Sequence, residues 1–191
     1  MTDRIVRVLA ISGSLRRDSY NTAILNAARE IGAELGLELE PYEELATLPH
    51  FNQDREADPP VQVAELRRRI ADADAVFVVT PEYNHSIPGA LKDALDWASR
   101  PRESAALAEK PAAAIGASTS AFGAAWAQAE VRKVLAAAGA NVLDRELPVT
   151  GVHGRVVHGE LVDEETREQL HGVLEELRVH VVGRTRSWLT V

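Results

Sequence analysis

The sequence predicts an open parallel α/β sheet wrapped by helices on both faces. Three observations predict it. Apolar, β-branched runs alternate along the chain with stretches whose apolar residues recur at helical spacing. The run Ala75-Val76-Phe77-Val78-Val79-Thr80 is apolar without alternation, as in a strand covered on both faces. At 191 residues and 46% hydrophobic composition, the chain fits one globular domain over residues 1–191, with no room for a second. Parallel neighbours cannot be joined by a tight hairpin, so each crossover needs a covering element.

In order, Arg4 to Ser12 is a β-branched run stopped by Gly13 and predicts the first strand. Ser19 to Leu35 predicts a helix through Ile24, Ala28, Ile31 and Leu35. Leu37 to Tyr42 predicts a second short strand, and Leu48 to Pro60, with Pro49, Pro59 and Pro60 around a polar centre, a surface loop. Val61 to Ala73 predicts a helix, and Ala75 to Thr80 the strand at the sheet centre. Pro88-Gly89 opens a helix carried by Leu91, Leu95 and Ala98. Pro111 to Ala117 predicts a strand, Phe122 to Ala138 a helix with Val131 and Leu135 facing inward, and Asn141 to Leu143 a weak fifth strand. After a Gly- and His-containing segment from Gly151 to Gly159, Asp163 can cap a last helix with the stripe Leu170, Leu174, Leu177 and Val181. The expected sheet is five-stranded and parallel, without internal repeats.

Composition removes several functions. A formal charge of −8, from 29 acidic against 21 basic residues, argues against an electrostatic nucleic-acid binder. The absence of cysteine excludes disulfides, thiolate catalysis, Cys-ligated zinc and Cys-held iron–sulfur clusters. No apolar stretch approaches the ~20 residues that span a bilayer, and Met1-Thr2-Asp3-Arg4 does not open a signal-peptide pattern. The expected compartment is therefore the cytoplasm, with neither nucleic acid nor membrane as partner. Arg67-Arg68-Arg69 reads as part of a solvated helix face. His153 and His158 lack an H-E-x-x-H or partner cluster, so no metal is expected.

In sheets of this kind a ligand sits beyond the carboxyl ends of the strands, where chain order reverses. The informative loops are thus Gly13 to Asn21, Pro81 to Gly89 and Ser118 to Gly123. The first reads Ser12-Gly13-Ser14-Leu15-Arg16-Arg17-Asp18-Ser19-Tyr20-Asn21, with hydroxyls, an amide and guanidinium groups immediately before a helix. A helix amino terminus offers unpaired N–H groups and partial positive charge. Gly13 allows a close turn, the Ser14 and Ser19 hydroxyls can donate to phosphate oxygens, and Arg16 can add a bidentate contact. The alternative is that Ser19 or Asn21 only caps the helix; the combination favours the anion site. With no G-x-x-x-x-G-K-[ST] and no G-x-G-x-x-G, a monophosphate fits better than a pyrophosphate.

The second loop, Thr80-Pro81-Glu82-Tyr83-Asn84-His85-Ser86-Ile87-Pro88-Gly89, is rigid at both ends and rich in hydrogen-bonding groups between. A planar heterocycle can sit there, its polar edge on backbone amides and Asn84 and its face beside Tyr83. The same residues also suit an ordinary Pro-bounded connection with Glu82 on the surface.

Gly13-Ser14-Leu15-Arg16 with Ser19 and Asn21, then Pro81-Glu82-Tyr83-Asn84 through Pro88-Gly89-Ala90-Leu91-Lys92 and Asp96-Trp97, resembles the NADPH-dependent FMN reductase family, which includes bacterial quinone and chromate reductases. The resemblance covers nearly the whole chain, because Gln128, Arg132 and Leu135 also match. It implies a flavodoxin-like three-layer sandwich, FMN as cofactor, NADPH or NADH as electron donor, and a flavin, quinone or similar small molecule as acceptor. It further implies that Ser14, Arg16, Ser19 and Asn21 hold the FMN phosphate, with Tyr20 beside them. Pro81, Glu82, Tyr83 and Asn84 line the isoalloxazine, and Ser118 and Gly123 belong to the same cofactor site. No catalytic side chain is expected, since the hard chemistry belongs to the flavin; His85 and Tyr83 can contact a substrate. A homodimer or homotetramer is implied, with Gln128 and Arg132 at the subunit contacts. Trp188 is expected to pack or cover a neighbour.

The third loop departs from the family's Ser-x-Gly-x-x-Gly-Gly pattern: Ser120 and Ala124 replace two glycines, and Trp126 stands where a basic residue is frequent. The expectation is that both glycine positions need only a small side chain, so that both replacements are tolerated; the preference between NADPH and NADH stays open. Two other functions compete. One is a flavodoxin-like electron carrier or flavin-binding regulator, although the first loop lacks the Thr-x-Thr-Gly-Asn pattern of flavodoxins. The other is an interaction module that has lost the cofactor.

Overall fold

The structure, a computed structural model, describes the backbone of residues 4–188 and the side chains of residues 4–184; the expected packing of Trp188 lies outside the described side chains. Strands β1 (Val6–Ser12), β2 (Leu37–Pro41), β3 (Ala75–Thr80), β4 (Pro111–Ala117) and β5 (Asn141–Val142) form a parallel sheet in the order β2-β1-β3-β4-β5. This is the flavodoxin-like order, which reverses between β1 and β3. Helices α1 (Tyr20–Glu34) and α5 (Glu164–Trp188) cover one face, and α2 (Val61–Asp72), α3 (Gly89–Ala98) and α4 (Ala125–Ala137) the other.

Burial on both faces explains the unalternating β3. Ala75, Phe77 and Val79 pack with α1 and α5, while Val76 and Val78 pack with α2, α3 and α4, and all six residues of the strand are buried. Ser19 caps α1, its Oγ accepting from the Asn21 and Thr22 N–H groups. Asp163 starts α5 by accepting the Thr166 N–H at 2.9 Å. Hydrogen bonds from Thr166, with help from Arg155, hold the Asp163 carboxyl below the usual carboxylate range. The stripe Leu170, Leu174, Leu177 and Val181 is buried as expected.

Several details differ from the sequence reading. The fifth strand is broken: β5 ends at Val142 and a further two-residue strand, β6 (Pro148–Val149), resumes the pairing with β4 at Gly116 and Ala117. Between them Arg132 forks onto Asp144 and Glu146, and the Gln128 Oε1 accepts the Leu147 N–H at 2.9 Å. Gln128 is fully buried inside the protomer, which corrects its expected place at a subunit contact. Residues 151–159 are not featureless but hold a turn of 3₁₀ helix, Val152–Gly154, and enter a hairpin of β7 (Val156–Val157) and β8 (Glu160–Leu161). Its turn residues His158 and Gly159 both have positive φ, as the twist of a two-residue hairpin demands. The triple arginine is only partly a solvated face. Arg68 pairs with Glu65 and Asp72 outside, but Arg67 Nε donates to the Trp97 carbonyl, and the largely buried Arg69 holds Glu40 and Glu44.

Candidate active site

The sheet delivers three loops to one end, after β1, β3 and β4. Gly13 leaves β1 with its N–H on the Val79 carbonyl at 2.8 Å. A Cβ at Gly13 would stand 2.9 Å from Leu91 Cδ2 and 3.2 Å from Thr80 Oγ1, so glycine is what lets this loop lie against β3 and α3. The loop then builds its own turns: Ser14 N–H donates to Ser12 Oγ and Arg16 N–H to Ser14 Oγ, both at 3.4 Å. The Arg16 guanidinium folds back onto the Asp18 carbonyl at 2.8 Å and lies 5.5 Å above the Tyr20 ring centroid, an exposed cation held at the mouth of α1.

Ser19 takes two first-turn N–H groups through its oxygen lone pairs and keeps its own proton to donate. Among the described residues the Tyr20 N–H has no protein acceptor, so the helix start is only partly closed. Asn21 is 4% exposed and donates from Nδ2 to the Ala117 carbonyl at 3.3 Å, tying α1 to the end of β4. Its side chain therefore joins two loops rather than standing open beside Ser14 and Arg16. Two clefts flank this loop: one of about 490 Å³ runs past Asp18, Ser19 and Asn26 to His158, the other of about 400 Å³ past Ser14, Arg16 and Thr22 to Tyr42.

After β3, Pro81 leads into a tight turn. Tyr83 and Ser86 exchange both backbone hydrogen bonds at 3.0 Å, and the two residues between, Asn84 and His85, have φ of 53° and 59°. Neither is glycine, so the turn carries backbone strain. Tyr83 is half exposed. The Glu82 carboxylate accepts the Trp126 and Ala127 N–H groups of α4 at 3.1 and 3.2 Å, which places Glu82 between two loops and not on the open surface.

After β4, Ser118 and Ser120 share a 2.8 Å hydroxyl contact and Ser120 Oγ accepts the Phe122 N–H, while Gly123 and Ala124 turn the chain into α4 with φ of 56° and 61°. A Cβ at Gly123 would meet the β6 backbone, 2.7 Å from the Pro148 carbonyl carbon. Only glycine fits there, and its demonstrated contact is with β6. Ser120 is outside the left-handed region, as tolerance required. Ala124 is inside it, and this corrects the expectation for that position: its Cβ is accommodated at the cost of left-handed strain. The helix also begins at Ala125 and not at Phe122 because this turn consumes residues 122–124.

Phe122, Trp126 and His85 pack edge to face or tilted, with centroids 4.7 Å and 4.6 Å from Trp126, and both Phe122 and Trp126 keep large exposed faces. Sequence reasoning did not find this cluster, since His85 comes from the loop after β3 and Phe122 and Trp126 from the stretch after β4. The end of the sheet thus combines a partly open helix terminus, hydroxyls and a cation on one side with a rigid turn and exposed aromatic faces on the other. Those groups fit a phosphorylated planar heterocycle: Ser14, Arg16, Ser19 and the Tyr20 N–H suit a phosphomonoester, and Tyr83 with the loop peptides suits a flat ring.

The model of the NADPH-dependent FMN reductase family matches residues 6–154. The chain is 35% identical over 182 residues to a 2-hydroxy-1,4-benzoquinone reductase of Burkholderia sp, covering 94% of this chain and 98% of that protein. It is 38% identical over 179 residues to an NAD(P)H-dependent FMN reductase of Pseudomonas aeruginosa, covering 92% and 95%. Among solved structures, the flavoenzyme NAD(P)H:(acceptor) oxidoreductase FerB from Paracoccus denitrificans matches with a TM-score of 0.82 and 35% identity, over 94% of this chain and 98% of that one. The fold and site define a flavodoxin-like oxidoreductase that works through FMN and NAD(P)H. The chain belongs to the NADPH-dependent FMN reductase family.

Proposed function

We propose that the protein reduces quinones at the expense of NAD(P)H, holding FMN across the loops after β1, β3 and β4. The observation that carries this reading is the partly open amino terminus of α1 at the β1/β3 switch point, with the strained turn at Tyr83 to Ser86 following the adjacent strand β3. Ser14, Arg16, Ser19 and the Tyr20 N–H hold the phosphate. The Pro81 to Asn84 loop lines one side of the ring, and Ser118 to Gly123 the other. Asn21 and Glu82 belong to the site through the loops they join.

The loops after β1, β3 and β4 would hold FMN, which would supply the redox chemistry between NAD(P)H and the acceptor. The protein's part is to orient the ring, exclude bulk water from one side of it and leave the other accessible, and no side chain acts as nucleophile. The exposed faces of Tyr83, Phe122 and Trp126 suit a flat aromatic acceptor, and relatives named as quinone reductases support that class. The same exposed aromatics support a homodimer or homotetramer with this end of the sheet near the interface, which light scattering measures directly. A cytoplasmic location fits a chain in which, among the described residues, no helix is long and apolar enough to cross a membrane.

Anaerobic mixing of FMN-loaded protein with NADPH or NADH, followed by 1,4-benzoquinone, tests the function. Rapid bleaching of the flavin and reoxidation by the quinone are expected. Flavin that stays oxidised with both nucleotides would convert the reading to an electron carrier or regulator.

A further inference from the structure

Helix α4 begins without a cap of its own. Its N-cap residue is Ala124, which has no side-chain acceptor, yet two of its first N–H groups are satisfied. They donate to Glu82 Oε2, from Trp126 at 3.1 Å and Ala127 at 3.2 Å, across 44 and 45 positions of sequence. The carboxylate is well placed for this, since the amino end of a helix favours negative charge. Its side chain is only 11% exposed, so water competes weakly for it.

The second oxygen faces the same loop: Glu82 Oε1 lies 3.5 Å from His85 Nδ1. The His85 ring in turn stands edge-on to Trp126, centroids 4.6 Å apart. The loop after β3 is therefore fastened to α4 twice, through a carboxylate at residue 82 and an aromatic contact at residue 85. Between these fastenings lies Asn84, which with His85 adopts left-handed backbone. Such strain persists only where the surroundings over-determine the conformation; the paired Tyr83–Ser86 bonds hold the turn from within, and Glu82 holds it from outside.

We infer that Glu82 is a positioning residue: by closing the start of α4 it sets the spacing and rigidity of the two loops that flank the ring site. This rests on the flavin reading above. Glu82 acts through α4 and the turn it anchors, and the residues it positions are Tyr83 and Asn84 on one side and the 118–124 loop on the other.

Three variants test it, with folding checked by circular dichroism. In Glu82→Gln an amide oxygen remains to accept the same N–H groups; Glu82→Asp keeps the charge but shortens the reach; Glu82→Ala removes the acceptor. The readouts are hydrogen exchange of the Trp126 and Ala127 amides, FMN affinity by fluorescence quenching, and KM and kcat for NAD(P)H at saturating FMN. In Glu82→Ala and Glu82→Asp the two amides are expected to exchange about tenfold faster, the effect of losing a cap. FMN affinity should fall about tenfold, and KM should rise more than kcat falls. Glu82→Gln should restore most of each. Faster exchange in Glu82→Asp with wild-type FMN affinity and wild-type KM would make Glu82 a helix cap only and overturn the inference. Wild-type protein that takes up no FMN at all would instead overturn the flavin reading, and the inference with it.

Discussion

Helices α1 and α4 follow β1 and β4, the two strands that flank β3, and start at the same end of the sheet, yet of the two only α1 presents a terminus that an external anion can use. Helix α1 is capped from within by Ser19, which satisfies Asn21 and Thr22 and leaves the Tyr20 N–H and its own hydroxyl proton without a protein acceptor among the described residues. Helix α4 has no cap of its own, and Glu82 from another loop fills it with a carboxylate. Charge follows the same division: Arg16 lies over the start of α1, and an acid lies over the start of α4. Helix α5 extends the contrast, with Asp163 as cap and Glu164 and Glu165 in its first turn, a terminus already saturated with negative charge. Incomplete satisfaction alone does not make an anion site, since α2 and α3 also start after prolines without a side-chain cap; at α1 it coincides with the Ser14 and Ser19 hydroxyls and the Arg16 guanidinium.

Breaking the α4 side of the comparison should give the largest effect. Gly123→Ala would force a Cβ against the β6 backbone in a left-handed residue, and a loss of stability of about 3 kcal/mol or more is expected. Urea denaturation measures it; a loss under about 1 kcal/mol would mean that the 123–124 turn is not fixed as described. On the α1 side, Arg16→Ala should leave stability nearly unchanged but weaken FMN binding by about 1–3 kcal/mol, the range of a charge-assisted contact. Fluorescence quenching reports this, and unaltered affinity would remove Arg16 from the site.

At α5, Asp163→Ala should cost about 1 kcal/mol of stability as a lost cap, with FMN binding untouched. Because folding depresses the Asp163 pKa, its contribution is fully present above the unfolded carboxylate pKa, near 3.9. That contribution is lost as pH falls through the lower folded value. Denaturation curves of wild type and variant should therefore converge below about pH 4 and stay apart at neutral pH. The smallest effect sharpens the contrast in the other direction: Ala124→Gly relieves a left-handed alanine and should stabilise the protein by up to about 1 kcal/mol. A destabilised variant would show that the Ala124 methyl packs more favourably than its backbone is strained.

Much of this arrangement is legible in the sequence because its signals are local. The apolar run at Ala75 to Thr80 identifies the central strand, Ser19 and Asp163 mark helix starts by their cap chemistry, and the loops after β1 and β3 stand out by residue type and by the family they resemble. The broken fifth strand is not legible, since Asn141–Val142 and Pro148–Val149 are too short to show a period, and the contacts that hold the break together come from Gln128 and Arg132 on a helix. The same holds for the Val156–Leu161 hairpin. The contact of Glu82 with α4 escapes for a different reason: the resemblance puts Glu82 in the ring-lining loop, but a carboxylate in a Pro-bounded loop reads as surface until the fold brings α4 to it. The one signal that pointed to that contact was negative, a helix predicted to start at Phe122 with Ala121, and no Ser, Thr, Asp or Asn, directly before it.

The most direct test of the open α1 terminus is the ratio of affinities for FMN and riboflavin, which differ by the phosphate alone. If Ser14, Arg16, Ser19 and the Tyr20 N–H hold that phosphate, FMN should bind tighter by on the order of a hundredfold, and the Arg16→Ala variant should narrow the gap. Equal affinity for the two flavins would contradict the account, because it would leave the start of α1 without the anion its geometry and charge select.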